Sequence, residues 1–121
     1  MSDLKVSELL GMQRALWERN AGHWDPLEPA FARNSVLFML GELGEAIAII
    51  KKRGESEIVS DPALRRHFVE ELVDMWMYAV DVLLRYGISA EEFSEVYLAK
   101  HARNMRRDFP LEHSAYLKEQ P

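Results

Sequence analysis

The chain has 121 residues, of which 48% are hydrophobic and 29% charged, with a formal net charge of -5 and no cysteine. This is the composition of one soluble globular domain; it excludes a disordered chain, disulfides, thiolate catalysis and cysteine-type zinc sites, and it argues against general attraction to nucleic acid or to an anionic membrane. No apolar run reaches a membrane span and Met1 to Val6 lack a signal-peptide pattern, so a cytoplasmic location is the expectation.

A first helix is predicted from near Ser2 or Ser7 to Asn20–Gly22, with Leu9, Leu10, Met12, Leu16 and Trp17 as its buried positions. The loop that follows, from Gly22 to about Ala32, carries His23, Trp24, Pro26, Pro29 and Phe31. Loops of this composition often line pockets, although Trp24 reads equally well as an aromatic folded back on the core.

A second helix is predicted from Asn34 to Lys52, stopped by Gly54. At 100° per residue, Val36, Leu40, Leu43, Ile47 and Ile50 form its apolar face, with Glu42 and Glu45 on the other side. The stripe of these two acids also holds Asn34, Phe38, Ile49 and Lys52, which is too mixed for a solvated face. Gly41, Gly44 and Ala48 flank it, making a flat strip for a neighbouring helix or for a ligand's phosphates.

Gly54 to Ser60 reads as a polar turn. Asp61-Pro62 then starts a third helix that ends at Tyr86-Gly87, about 25 residues or roughly 37 Å long. Phe68, Val69, Leu72, Met75, Trp76, Ala79, Val80 and Leu83 cover more of it than a small monomer can bury, so a second subunit is expected to complete the core. Its remaining stripe, His67, Glu71, Asp74, Tyr78, Asp81 and Arg85, reads on its own as a solvated face more readily than as a metal site.

Ser89-Ala90-Glu91-Glu92 is a capping box that opens a fourth helix. Its inward stripe is predicted to begin with Phe93, Val96 and Tyr97 and to turn cationic at Lys100, Asn104 and Arg107, with Arg103 beside it. A domain is expected over residues 1–110 and a loosely docked tail over 111–121.

Glu42 with Glu45, and Glu71 with Asp74, are spaced i, i+3, which places each pair on one helix face with Cβ atoms roughly 5–6 Å apart. Two carboxylates at about 6 Å repel by roughly 2–3 kcal/mol at an effective dielectric near 20, so four gathered together call for protons, water or cations. Carboxylate ligation without histidine or cysteine favours Mg²⁺, with Mn²⁺ as a substitute. Lys100, Arg103, Asn104 and Arg107, together with Lys52, would bind the phosphates of a polyphosphate, and the reaction class that follows is water attack on a phosphoanhydride. A di-iron carboxylate bundle is disfavoured because none of the four histidines has a glutamate three residues earlier. A non-catalytic nucleotide-binding or regulatory helical dimer is the other alternative.

The ordered set Glu42-Leu43-Gly44-Glu45, 25 intervening residues, Glu71-Leu72-Val73-Asp74, then Lys100 to Asn104, resembles the MazG-like all-α nucleoside triphosphate pyrophosphohydrolases. Asn34, the Gly41-Glu42-x-Gly44-Glu45 run, Tyr78 and the Lys100–Pro110 segment look most like the dCTP pyrophosphatase branch. The resemblance implies an all-α, four-helix bundle-like domain, completed as a homodimer or dimer of dimers, that cleaves a nucleoside triphosphate to monophosphate and pyrophosphate. It implies Mg²⁺ on Glu42, Glu45, Glu71 and Asp74, with Glu42 or Glu45 orienting or deprotonating the water. Trp24, Asn34 and Tyr78 would contact the nucleoside, and a role in cleaning the nucleotide pool would follow.

Overall fold

The computed structural model describes residues 2–120. Among them the chain forms six α-helices, one 3-10 turn and no strand. The helices are α1 (Val6–Arg19), α2 (Ala32–Arg53), α3 (Glu55–Ser60), α4 (Pro62–Arg85), α5 (Ala90–Arg106) and α6 (Phe109–Glu119). The described chain is all-α, as predicted, and none of its helices is long and apolar enough to cross a membrane.

Local chemistry sets the helix ends. The Asp61 carboxylate accepts from the Ala63 and Leu64 amides at 3.0 and 3.3 Å, and Pro62 occupies the first turn of α4, where a missing N–H costs nothing. Gly87, at φ 67°, ends the segment in a conformation that a side chain would oppose. Gly54, at φ 83°, likewise ends α2, but the chain restarts at once as α3 rather than running on as the expected turn. Ile58 of α3 is buried, and this contact is what a reading by polarity misses.

The chain divides into two compact units, residues 1–90 and 91–121. In the first, α2 and α4 form the central antiparallel pair: Ser35 meets Asp81, Phe38 meets Tyr78, and Glu42 meets Glu71. α1 packs on α4, α3 packs against both α2 and α4, and the 3-10 turn Pro29–Phe31 touches both helices of the pair. The core is small: Ala32, Ala46, Ile58, Leu64, Val80 and Leu84 are its buried apolar residues.

This pairing turns most of the expected apolar face of α2 outward and leaves only Ile50 of it half-buried. The inward stripe is Ala32, Ser35, Met39, Glu42, Ala46 and Ile49, whereas Val36, Leu40, Leu43 and Ile47 point out, Leu40 being 60% and Ile47 49% exposed. On α4, Val69, Val73, Trp76 and Met77 are exposed too, while Glu71, Tyr78, Asp81 and Arg85 of the predicted polar stripe turn in and His67 and Asp74 stay exposed, so the solvated-face reading holds only for those two. α1 is shallower than predicted: Met12 and Leu16 are exposed, Leu9, Leu10 and Trp17 are half-buried, and none of its residues is fully buried. Two amphipathic faces per helix explain the misreading, because periodicity marks an apolar face without saying whether the same chain covers it.

In the second unit, no residue of α5 is buried, and the expected inward positions Val96 and Tyr97 are exposed. Two short helices offer too little surface to cover them. The segment expected as a tail holds helix α6, where the Asp108 carboxylate caps the Leu111 amide at 3.0 Å and Pro110 fits the first turn.

Candidate active site

Small residues bring the acids together. Ala46 on the inner face of α2 lets α4 approach, and ligand oxygens of Glu42, Glu45 and Glu71 all come within 4.8 Å of one another. Asp74 does not join that group; it lies one turn along α4, on the wall of a cavity that also reaches Glu42. One oxygen each of Glu42 and Glu71 is buried without a hydrogen-bond partner. Unmet acceptors inside a cluster of like charge are what a hard cation satisfies, so the donor set fits Mg²⁺ or Mn²⁺.

The electrostatics show the strain of leaving them uncompensated. Glu71 is pushed up to about 7, first because it shares protons with Glu45 and then Glu42, and further by burial and by their charges. Glu42 is also raised: the hydrogen bond from Glu71 favours its ionised form, but burial and the charges of Glu45 and Asp74 outweigh it. The Tyr78 hydroxyl is raised as well, by burial and then by the charges of Glu42 and Asp74. His67 lies 3.9 Å from Glu71 at the outer edge of the cluster.

Next to the acids is a cavity of about 540 Å³ between α1, the loop, α2 and α4. Trp24, Asn34 and Tyr78, the three predicted nucleoside contacts, all line it. Phe38, which the sequence reading placed only on the acid stripe, lines it too, and its ring packs against Tyr78 with centroids 5.5 Å apart. Among the described residues of the first unit, no atom lies near the position of a β-carbon at Gly41 or Gly44, so none of that unit's helices packs on the flat strip.

A polar lock that sequence reasoning missed fixes the loop over this cavity. Asp81 Oδ2 accepts from Ser35 Oγ and, at 2.7 Å, from Arg85 Nε. Arg85 Nη1 in turn donates to the Pro26 carbonyl at 2.6 Å, and Trp17 Nε1 donates to the Asp25 carbonyl at 2.8 Å. Asp81 and Arg85 are only 4% and 7% exposed, so their pairing satisfies charges that burial would otherwise make very costly. The i, i+4 spacing of this pair was the available signal.

The predicted phosphate ligands are distributed differently. Lys52 is exposed in the last turn of α2. Within the second unit, Lys100 and Asn104 line an open groove of about 350 Å³ with Phe93, Val96, Tyr97 and His101, and Arg103 is exposed. Arg107 is engaged: it pairs with Glu112 at 2.7 Å and lies 4.3 Å over the Phe109 ring, which leaves it less free for a phosphate than the sequence suggested.

Clustered oxygen donors with unmet acceptors, opening on an aromatic-lined cavity in an all-α scaffold, define a helical protein equipped to hold a hard cation beside a flat ligand. A family profile described as dATP/dGTP pyrophosphohydrolase matches residues 39–120, more than half of the chain. The chain belongs to that family and is a nucleotide pyrophosphohydrolase, a hydrolase acting on phosphoanhydride bonds. No curated protein and no solved structure matches it significantly.

Proposed function

We propose that the protein cleaves a purine deoxynucleoside triphosphate to its monophosphate and pyrophosphate, in a Mg²⁺-dependent reaction at the acid cluster. The observation that carries this is the Glu42, Glu45 and Glu71 cluster, with its unsatisfied oxygens, opening beside the aromatic cavity. The family description names dATP and dGTP, whereas the branch its motif resembles acts on dCTP; a cavity of about 540 Å³ has room for the larger bases.

Glu42, Glu45 and Glu71 would hold the cation, with Asp74 joining from the cavity wall. When bound, Mg²⁺ neutralises phosphate charge and makes water a better nucleophile at neutral pH. Of the three clustered acids, Glu45 is the exposed one, so it is assigned to accept the proton of the attacking water, with Glu42 orienting that water. Phe38 and Tyr78 offer flat surfaces to the base and sugar. Lys52, Lys100, Arg103, Asn104 and Arg107 are assigned to the phosphates on their charge and on the MazG-type resemblance; Arg107 would do so by releasing Glu112.

The exposed apolar faces of α2 and α4 are assigned to a second copy of the chain, giving a homodimer or a dimer of dimers. A screen for pyrophosphate release from all dNTPs and NTPs with Mg²⁺ and Mn²⁺ tests the activity. Pyrophosphate release from dATP or dGTP is expected; silence across the panel would overturn the reading.

A further inference from the structure

The family profile begins at Met39, so the far end of the cavity, around Asn34 and the loop, lies outside it. Asn34 precedes Glu42 by eight positions on α2, about 12 Å at the helical rise. That span has room for a nucleoside from its 5′ oxygen to the outer edge of its base, with Phe38 in between.

Four carboxylates line this cavity: Asp25, Glu42, Asp74 and Asp81. Glu42 and Asp74 lie at the metal end, and Asp81 is committed to Ser35 and Arg85. Asp25 is left at the base end, its Oδ2 accepting from Asn34 Nδ2 at 3.4 Å. Its main chain is held with unusual care for a loop residue. The Asp25 carbonyl accepts from Trp17 Nε1 of α1 and, at 3.4 Å, from Arg85 Nη1 of α4, whose guanidinium is buried and fixed by Asp81.

We propose that Asp25 reads the nucleobase, that guanine is the base it selects, and that Arg85 is the positioning residue that aims it. This rests on the purine nucleotide reading above. A carboxylate only accepts hydrogen bonds, through two adjacent oxygens. Guanine presents two adjacent donors, its ring N1–H and its 2-amino group, which pair with both oxygens at once. Adenine sets its amino donor beside a ring nitrogen that is itself an acceptor and repels the second oxygen. Hypoxanthine keeps N1–H and lacks the amino group, so it loses one of the two bonds.

The test compares kcat/KM for dGTP, dITP and dATP on the full chain with Mg²⁺, in wild type, Asp25→Asn and Arg85→Lys. Wild type is expected to favour dGTP over dITP by about tenfold or more, the effect of one unmade hydrogen bond to a charged acceptor. Asp25→Asn should lower dGTP turnover and bring the dGTP to dITP ratio close to one, whereas Arg85→Lys should raise KM for dGTP and leave kcat in place. A wild-type ratio near one, or a ratio that survives Asp25→Asn, overturns the assignment. If circular dichroism shows either variant unfolded, the wild-type ratio decides alone. Calorimetric binding of dGMP against dIMP reads the same preference without turnover. A chain that cleaves no triphosphate yet binds dGMP about tenfold tighter refutes the proposed activity and keeps the base assignment; equal binding refutes the assignment itself.

Discussion

At the proposed metal site, Glu71 should make cation binding sensitive to pH. Its carboxyl is pushed up to about 7 by shared protons with Glu45 and Glu42 and by burial, and its side chain is only 12% exposed. A cation and a proton compete for the same oxygens, so affinity should fall as pH falls. With that value near 7, about nine tenths of Glu71 is ionised at pH 8 and about one tenth at pH 6, so the apparent Mg²⁺ dissociation constant should be about tenfold weaker at pH 6. The sign for the metal-free protein is opposite. Because the folded group binds its proton more tightly than the unfolded chain does, its contribution to stability is present at acid pH and is lost as pH rises through about 7. Thermal melts at pH 6, 7 and 8, at constant ionic strength and with and without millimolar Mg²⁺, read both effects. Mg²⁺ should raise the melting temperature most at pH 8, where the metal-free protein has lost that contribution. A Mg²⁺ shift that is flat with pH, or larger at pH 6, would refute the reasoning, and Glu71→Gln should abolish the pH dependence.

Glu45→Gln should reduce pyrophosphate release by at least about a hundredfold while the metal-free protein melts no lower than wild type, since one repulsive charge is gone. Asp81→Ala strands the buried Arg85 and should cost about 3–5 kcal/mol in urea unfolding; replacing both together, as Asp81→Leu with Arg85→Met, should recover much of that loss. On the exposed face of α2, Leu40→Asp with Ile47→Lys should leave the helical circular dichroism intact and shift sedimentation toward monomer, and an unchanged assembly would remove that face from the interface. Gly87→Ala, at φ 67°, should destabilise by about 1–2 kcal/mol, measured in the same unfolding assay.

Much of the site was legible because it is encoded over short distances. The i, i+3 spacing of Glu42 with Glu45 is a property of any helix, and so is the placement of Glu71 and Asp74 on one stripe. Trp24, Asn34 and Tyr78 do meet in one cavity. Asp25, Ser35 and the loop carbonyls escaped notice because their roles arise from partners up to 60 positions away, through Arg85, and no local pattern marks them. Arg107 was read as a free cation for the opposite reason: Glu112, five positions on, becomes its partner only once α6 is helical.

What the sequence determined by itself was helicity and its limits, through Asp61-Pro62, Gly54 and Gly87, and the gathering of acids on single helix faces. Those are matters of backbone sterics and hydrogen bonding within a turn or two. Which face of α2 turns inward was decided only by tertiary structure. The chain carries two faces fit for burial, one of small residues and acids and one of large aliphatic side chains, and the close approach of α4 is possible only over Ala32, Ser35 and Ala46. Packing therefore draws Glu42 and Glu71 inward, where crowding raises Glu71, and turns Leu40 and Ile47 outward.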